Sequence, residues 1–154
     1  MKQTILFPSG FFDVCRVDED MEAEYEAVAA TGLYHVVLYE YEQWFHGGRL
    51  VLHNKPSYPV EAVYRGWMMK PEQYRRFFDA LRQQDISLVT SPEAYELLHI
   101  FPRIYPLIRK DTAPILVYPE GTQPDLEEIK THFCRFMVKD YVKSVKGTAF
   151  PAFF

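Results

Sequence analysis

Short apolar runs alternate with segments of helical periodicity along the front part of the chain, and this alternation constrains the fold most. The runs that predict strands are Gln3–Phe7, Tyr34–Tyr39, Val60–Tyr64 and Ile86–Val89. Between them, a segment from about Asp20 to Thr31 and another that begins at Pro71 carry apolar residues at helical spacing. Strands that alternate with helices favour a layered parallel sheet. The sequence therefore predicts an α/β fold with a Rossmann-like parallel sheet in its N-terminal domain.

The remaining segments are less regular. Residues 40–59 contain Gly47-Gly48 and two prolines, which predict a variable excursion with at most a short strand at Arg49–Leu52. Ser91-Pro92-Glu93 supplies a cap, a first-turn proline and an acid, as at a helix start. After two further prolines the chain is predicted to be extended over 115–118 and helical from about 124 to 130. The change of pattern predicts two domains, 1–112 and 113–154.

Charge and cysteine content exclude several classes of protein. The formal net charge is -4 with a pI near 5.7, and acidic and basic residues are mixed, so nucleic-acid binding is not expected. Cys15 and Cys134 lie far apart, and neither belongs to a pair with metal-ligand spacing. No apolar run approaches the roughly 20 residues that span a bilayer, and Pro8 interrupts the N-terminal run. These observations predict a cytoplasmic protein without a membrane partner.

The segment His132–Ser144 carries cations at regular spacing. As a strand, it would place Arg135, Lys139 and Lys143 on one face, with an apolar opposite face. Neighbouring cations would be about 13 Å apart, which suits a polyphosphate, and lysine reaches phosphate oxygens through a flexible stem. The alternative interpretation is an ordinary surface strand whose lysines are solvated. Spacing alone leaves both interpretations open.

A second cationic position follows a predicted strand in Tyr64-Arg65-Gly66-Trp67-Met68. The carboxyl ends of parallel strands are where ligand crevices form, and Gly66 permits close backbone approach. Arg65 could bind a carboxylate or phosphate in a two-point contact, with Trp67 as an apolar wall. The alternative is that Trp67 belongs to the core and Arg65 caps the sheet edge.

Three segments together resemble one family in the same order. They are Tyr64-Arg-Gly-Trp-Met68, Ser91-Pro-Glu-Ala-Tyr95 with His99 and Pro102, and Val138-Lys-Asp-Tyr-Val-Lys-Ser144. The resemblance is to the ATP-grasp clade named for a conserved arginine and two lysines, found in bacteria and their phages. It implies a pre-ATP-grasp α/β domain followed by the first elements of an ATP-grasp domain.

The resemblance also implies a site. Lys139 and Lys143, with Arg135, would bind the nucleotide phosphates, whereas Arg65 and Trp67 would contact the substrate. The family arginine is either Arg65 or Arg135. The implied cofactors are ATP and Mg²⁺, and the implied activity is that of a carboxylate-amine ligase acting on a small-molecule or peptide carboxylate.

The family's magnesium and adenine ligands lie beyond the region that this chain covers, and no metal ligand or catalytic residue is assigned in the chain itself. The chain is therefore expected to be an N-terminal portion that is inactive alone and needs a C-terminal half or a partner chain. The alternative is a non-catalytic interaction domain, or one half of a split ATP-grasp protein. A homo-oligomer is compatible with either.

Overall fold

A computed structural model describes residues 2–119 and 121–138. The chain divides into two compact units, Met1–Tyr95 and Glu96–Phe154. The first unit contains all five strands of the described sheet. The predicted domain boundary after residue 112 remains a prediction, because a division by compactness does not establish where a pre-ATP-grasp domain ends.

The first unit is an α/β layer structure built on a five-stranded sheet of order β3-β2-β1-β4-β5. The strands are β1 (Gln3–Pro8), β2 (Tyr34–Tyr39), β3 (Leu52–His53), β4 (Val60–Tyr64) and β5 (Ile86–Leu88). Every neighbouring pair is parallel except β2 with β3, which is antiparallel at the edge. The predicted mixed α/β class with a mostly parallel sheet is confirmed.

Helices cover the sheet on both faces. The helices of this unit are α1 (Glu22–Thr31), preceded by a 3-10 turn at Glu19–Met21, α2 (Tyr41–Gly47), α3 (Pro71–Arg82) and the start of α4 (Pro92–His99). Gly32 ends α1 in the left-handed conformation that glycine adopts without strain. The Ser91 hydroxyl accepts from the backbone N–H of Ala94 at 3.1 Å, so the predicted cap at the start of α4 is present.

The two faces of the sheet bury different side chains. One face packs against α2, α3 and α4 through a large cluster of buried residues, including Leu6, Val37, Tyr39, Ala62, Tyr74, Phe77, Leu81, Leu88 and Tyr95. The other face packs against α1 through a smaller cluster centred on Ile5, Phe7 and Leu38. Successive residues of β1 alternate between the clusters, as the pleat of a strand requires. Glu61 and Ser87, paired in register on the smaller face, are exposed.

Two helices were not predicted. The segment 40–59, expected to be an irregular excursion, contains α2, which ends at the left-handed Gly48. A second helix, α5 (Phe101–Ile108), includes Pro102 and Pro106, in a segment for which the sequence predicted no element. Pro102 is tolerated because an N–H in the first turn has no helical partner to lose. No helix in the described part of the chain is long and apolar enough to cross a membrane.

The second unit is mainly helical where it is described. Besides α5 it contains α6 (Leu126–His132), whose first turn is capped by the Asp125 carboxylate, which accepts from the N–H groups of Glu127 and Glu128. The predicted helix near this position is thus confirmed. Residues 115–118, predicted to be extended, form no strand. Ile129 is the one fully buried residue among the described residues of this unit.

The predicted strand His132–Ser144 requires a correction in its described part. His132 is the last residue of α6, and residues 133–138 belong to no strand of the sheet. The alternating pattern was a poor guide because apolar residues on both of its supposed faces are exposed, as shown by Met137 and Val138. Residues 139–144 of the predicted strand lie outside the described residues.

Candidate functional site

The strand order creates a switch point between β1 and β4. From β1 the chain passes through α1 to β2 on one side, whereas β4 lies on the other side of β1. The helices next to these strands, α1 and α3, cover opposite faces. In open α/β sheets ligands bind in the crevice beyond the carboxyl ends of the two strands at such a point. Here the residues that follow these strands are Ser9-Gly10 and Arg65-Gly66.

Arg65 is held at this point by its backbone and its side chain. Its N–H donates to the carbonyl of Leu6 in β1 at 2.8 Å, which extends the pairing of β4 with β1 by one residue. Its guanidinium donates from Nε and an Nη to the two carboxylate oxygens of Glu24 in α1, with both N···O distances 2.5 Å. The hydrogen bond to Glu24 raises the pKa of Arg65. The predicted position of Arg65 at a strand end is therefore what the structure shows.

The Arg65–Glu24 pair lies at the protein surface, at the switch point of the sheet. The side chains are 47% and 40% exposed, so the guanidinium is accessible to a dissolved anion. Pairs of this exposure contribute little to stability, about 0 to 1 kcal/mol, because water competes for both partners. The geometry is nevertheless the two-point contact by which arginine binds carboxylates.

Gly66 is required by the packing beneath this turn. A Cβ atom at this position would lie 2.6 Å from the Tyr39 hydroxyl and 2.7 Å from the Tyr64 hydroxyl, too close for either oxygen. Tyr64 donates to the Trp67 carbonyl at 2.8 Å, so Tyr39 is the donor in the 3.2 Å contact between the hydroxyls. Burial raises the pKa of both phenols. Both tyrosines are therefore neutral supports for the turn after β4.

The side chains of Trp67 and Arg65 belong to the same turn but contact different helices. The Trp67 ring packs edge-on against Tyr41 of α2, with ring centroids 4.5 Å apart, and Tyr41 stacks on Phe45. Arg65 instead pairs with α1. The structure thus keeps Arg65 beside α1 and places Trp67, half-buried, beside the aromatic residues of α2. The packing interpretation accounts for these contacts of Trp67.

A second pairing of acid and base occurs after β2. The His53 ring, through Nε2, lies 2.8 Å from an oxygen of Glu40, and the side chains are only 27% and 16% exposed. Glu40 directly follows β2, and its N–H donates to the carbonyl of Val51, the residue before β3. The pair fastens the antiparallel edge strand to β2, so its geometry is explained by the sheet.

The other predicted site residues fall in the second unit. Arg135 lies exposed after α6, and Lys139 and Lys143 are outside the described residues. Both cysteines are free and exposed. Among residues 2–119 and 121–138, no cluster of three or more His, Cys, Asp or Glu side chains could hold a metal ion.

The sequence patterns did not indicate Glu24, Glu40 or His53 as site residues. Glu24 is one of several acids near the start of α1, where acids are expected for the helix dipole, so it carried no separate signal. Its contact with Arg65 spans 41 residues of sequence. Only the strand order could have indicated it, since α1 follows β1 and Arg65 follows the strand beside β1.

Comparison with protein-family models, with curated proteins and with solved structures finds no match to this chain.

Proposed function

We propose that this chain supplies the α/β domain and the first phosphate-binding segment of an ATP-dependent carboxylate-amine ligase of the ATP-grasp type. The observation that supports the proposal is the position of Arg65 at the switch point, with its guanidinium bound to a carboxylate. In the proposal, Arg65 binds the carboxylate substrate. The resemblance of the three sequence segments supplies the reaction class.

The proposal assigns the nucleotide to the second unit. Lys139 and Lys143, with Arg135, would neutralise the nucleotide phosphates, because cations stabilise the charge of a phosphoryl group in transfer. Bound Mg-ATP in enzymes of this type activates a carboxylate for attack by an amine. The metal and adenine contacts would come from a further segment or a partner chain.

Nucleotide binding by single lysine variants tests this assignment. We expect Lys139→Ala and Lys143→Ala each to weaken binding of a non-hydrolysable ATP analogue about tenfold or more, since a hydrogen bond to a charged group contributes about 1.5 to 3 kcal/mol. Calorimetric titration at fixed ionic strength provides the measurement. Lys110→Ala, which removes the same charge from an exposed position after α5, is the matched control. Equal losses in all three variants, or none, would contradict the proposal.

A second candidate function, a non-catalytic interaction domain, is favoured by one observation. The loop after β1 presents Phe11 and Phe12, which are 66% and 98% exposed. The loop is held by backbone hydrogen bonds from Gly10 to Arg16 and from Asp18 to Pro8, so the two rings are displayed on an ordered turn. Adjacent exposed aromatic rings are typical of contact surfaces rather than of isolated surface residues.

Self-association measured by sedimentation would support this second candidate. The variant Phe11→Ser/Phe12→Ser is expected to be monomeric where the unmodified chain forms a dimer. Leu107→Ser, at another exposed apolar position (72% exposed), is the matched control. If the unmodified chain remains monomeric at high concentration, self-association through Phe11 and Phe12 is excluded.

A further inference from the structure

The partner of Arg65 occupies the position that a ligand carboxylate would take. Both oxygens of Glu24 accept hydrogen bonds from the guanidinium, one from Nε and one from Nη2. A substrate carboxylate bound to the same two nitrogens would make the same contacts with the same charge. Arg65 therefore cannot bind a ligand in this manner while Glu24 remains in place.

Glu24 can leave more easily than Arg65. The helix that carries it, α1, has no fully buried residue, and the Glu24 side chain is 40% exposed. The backbone of Arg65, in contrast, is hydrogen-bonded to β1 and is followed by Gly66, which packs on two buried hydroxyls. A competing anion would thus displace the glutamate from an arginine whose backbone is held by the sheet.

Negative charge on α1 near Arg65 adds to this competition. Glu22 and Glu26 lie on the same helix as Glu24, and Glu22 is already paired with Arg16 at 3.3 Å. Within residues 2–119 and 121–138, the cationic partner of Glu24 is Arg65, so the negative charge of a displaced Glu24 would remain near the incoming anion. Like charges at short range oppose binding.

From these contacts we propose that Glu24 is an internal competitor that sets the anion affinity of Arg65, and that the ligand it imitates is a carboxylate. The inference rests on the proposed function only in assigning Arg65 to the carboxylate substrate. Glu24 is then a specificity-determining residue, because only a ligand with two oxygens that reach Nε and Nη2 together replaces both hydrogen bonds that its displacement breaks.

Titration of the whole chain with acetate tests the inference. The readout is the Nε–H resonance of Arg65, assigned by its loss in Arg65→Gln and followed at constant ionic strength with chloride as the background anion. We expect Glu24→Gln to bind acetate about two- to fivefold more tightly than the unmodified chain, the factor that corresponds to an exposed ion pair. Glu24→Ala, which removes the amide as well, should show the same direction of change.

Glu22→Gln is the matched control, since it removes the same charge from the same helix at a residue that pairs with Arg16 instead. An equal gain in Glu22→Gln and Glu24→Gln would show a general charge effect and overturn the inference, as would no gain in either Glu24 variant. A gain for inorganic phosphate without a gain for acetate would overturn the carboxylate assignment.

These outcomes are separable from those of the proposed function. The acetate titration involves Arg65 and Glu24 alone, whereas the nucleotide titration involves Lys139 and Lys143. Loss of the acetate effect with lysine-dependent nucleotide binding retained would leave the ligase proposal standing without the internal competitor. The reverse pattern would leave a carboxylate-binding domain whose affinity Glu24 sets.

Discussion

The two faces of the sheet differ in what they do with polar groups. On the face covered by α2, α3 and α4, the polar atoms are tyrosine hydroxyls whose hydrogen bonds are made inside the protein, to Tyr64, Trp67, Met69 and Thr90. On the face covered by α1, the polar groups are partly exposed: Arg65 forms an ion pair with Glu24, and the His53 ring contacts the Glu40 carboxylate. One face supplies the stability of the first unit, and the other leaves an arginine accessible to ligands.

The physical reason for the difference is the extent of cover. The large cluster buries whole aromatic rings, and Tyr74 stacks on Tyr95 with centroids 3.7 Å apart. The smaller cluster is covered by the single helix α1, and no residue of this helix is fully buried. A charged group can keep its hydration beside such a helix, whereas burial among aromatic rings would cost far more than an ion pair returns.

The largest expected effect is at the centre of the tyrosine-rich face. Phe77 is fully buried and packs against the rings of Tyr39, Trp44 and Tyr64. Phe77→Ala is expected to lower the free energy of unfolding by about 3 to 5 kcal/mol, because the core cannot close the cavity completely. Urea denaturation measures it, with the exposed Phe12→Ala as control, expected to stay within about 0.5 kcal/mol. Similar losses in both variants would contradict the comparison.

The second-largest effect is expected at alkaline pH, which should lower the free energy of unfolding through the buried tyrosines of the same face. Burial raises the pKa of Tyr39 and Tyr64 in the folded protein, whereas both phenols have ordinary values when unfolded. Their contribution to the free energy of unfolding is therefore complete below about pH 10, the pKa of an unfolded tyrosine. Above that pH it decreases by about 1.4 kcal/mol per pH unit for each tyrosine.

Denaturation midpoints measured between pH 8 and pH 11 would show this decline, together with the tyrosinate absorbance at the unfolding transition. The variant Tyr39→Phe should show a shallower decline, since it has one buried phenol fewer. An equal slope in this variant would mean that Tyr39 ionises freely in the folded protein.

The turn between the two faces is expected to tolerate no side chain. Gly66→Ala should cost about 1 to 3 kcal/mol, because the new methyl group meets two hydroxyls that are fixed by hydrogen bonds. Gly47→Ala is the control: its Cβ would meet only the flexible Gln43 side chain at 3.7 Å, within α2, where alanine is favoured over glycine. The difference between the two midpoints is the measurement. A neutral Gly66→Ala would mean that the turn moves away from the tyrosines.

The smallest effect on stability belongs to the charged face. Glu24→Gln is expected to change the free energy of unfolding by less than about 1 kcal/mol, since the ion pair with Arg65 is exposed. The same denaturation experiment measures it, and raising the salt concentration should reduce even this difference. A loss as large as that of Phe77→Ala would show that the pair is structural, and the two faces would then not differ in role.

Local patterns predicted much of the first unit. The four parallel strands and the helices α1 and α3 occur where the apolar periodicity indicated them, and Ser91 caps α4 as its sequence predicts. The helix α2 was hidden because Gly47-Gly48 and nearby prolines resemble a loop, although one glycine only ends the helix. In α5, Phe101, Ile104 and Ile108 follow helical spacing, and the prolines obscured it.

By itself, the sequence determined the four parallel strands, the helices α1 and α3, and that Arg65 follows a strand, because periodicity and turn residues act over a few neighbours. Tertiary structure alone decided that β4 lies beside β1, that Glu24 meets Arg65, and that Gly66 must have no side chain. These facts depend on residues brought together from distant parts of the chain, where the strand order, and no local pattern, sets the distances.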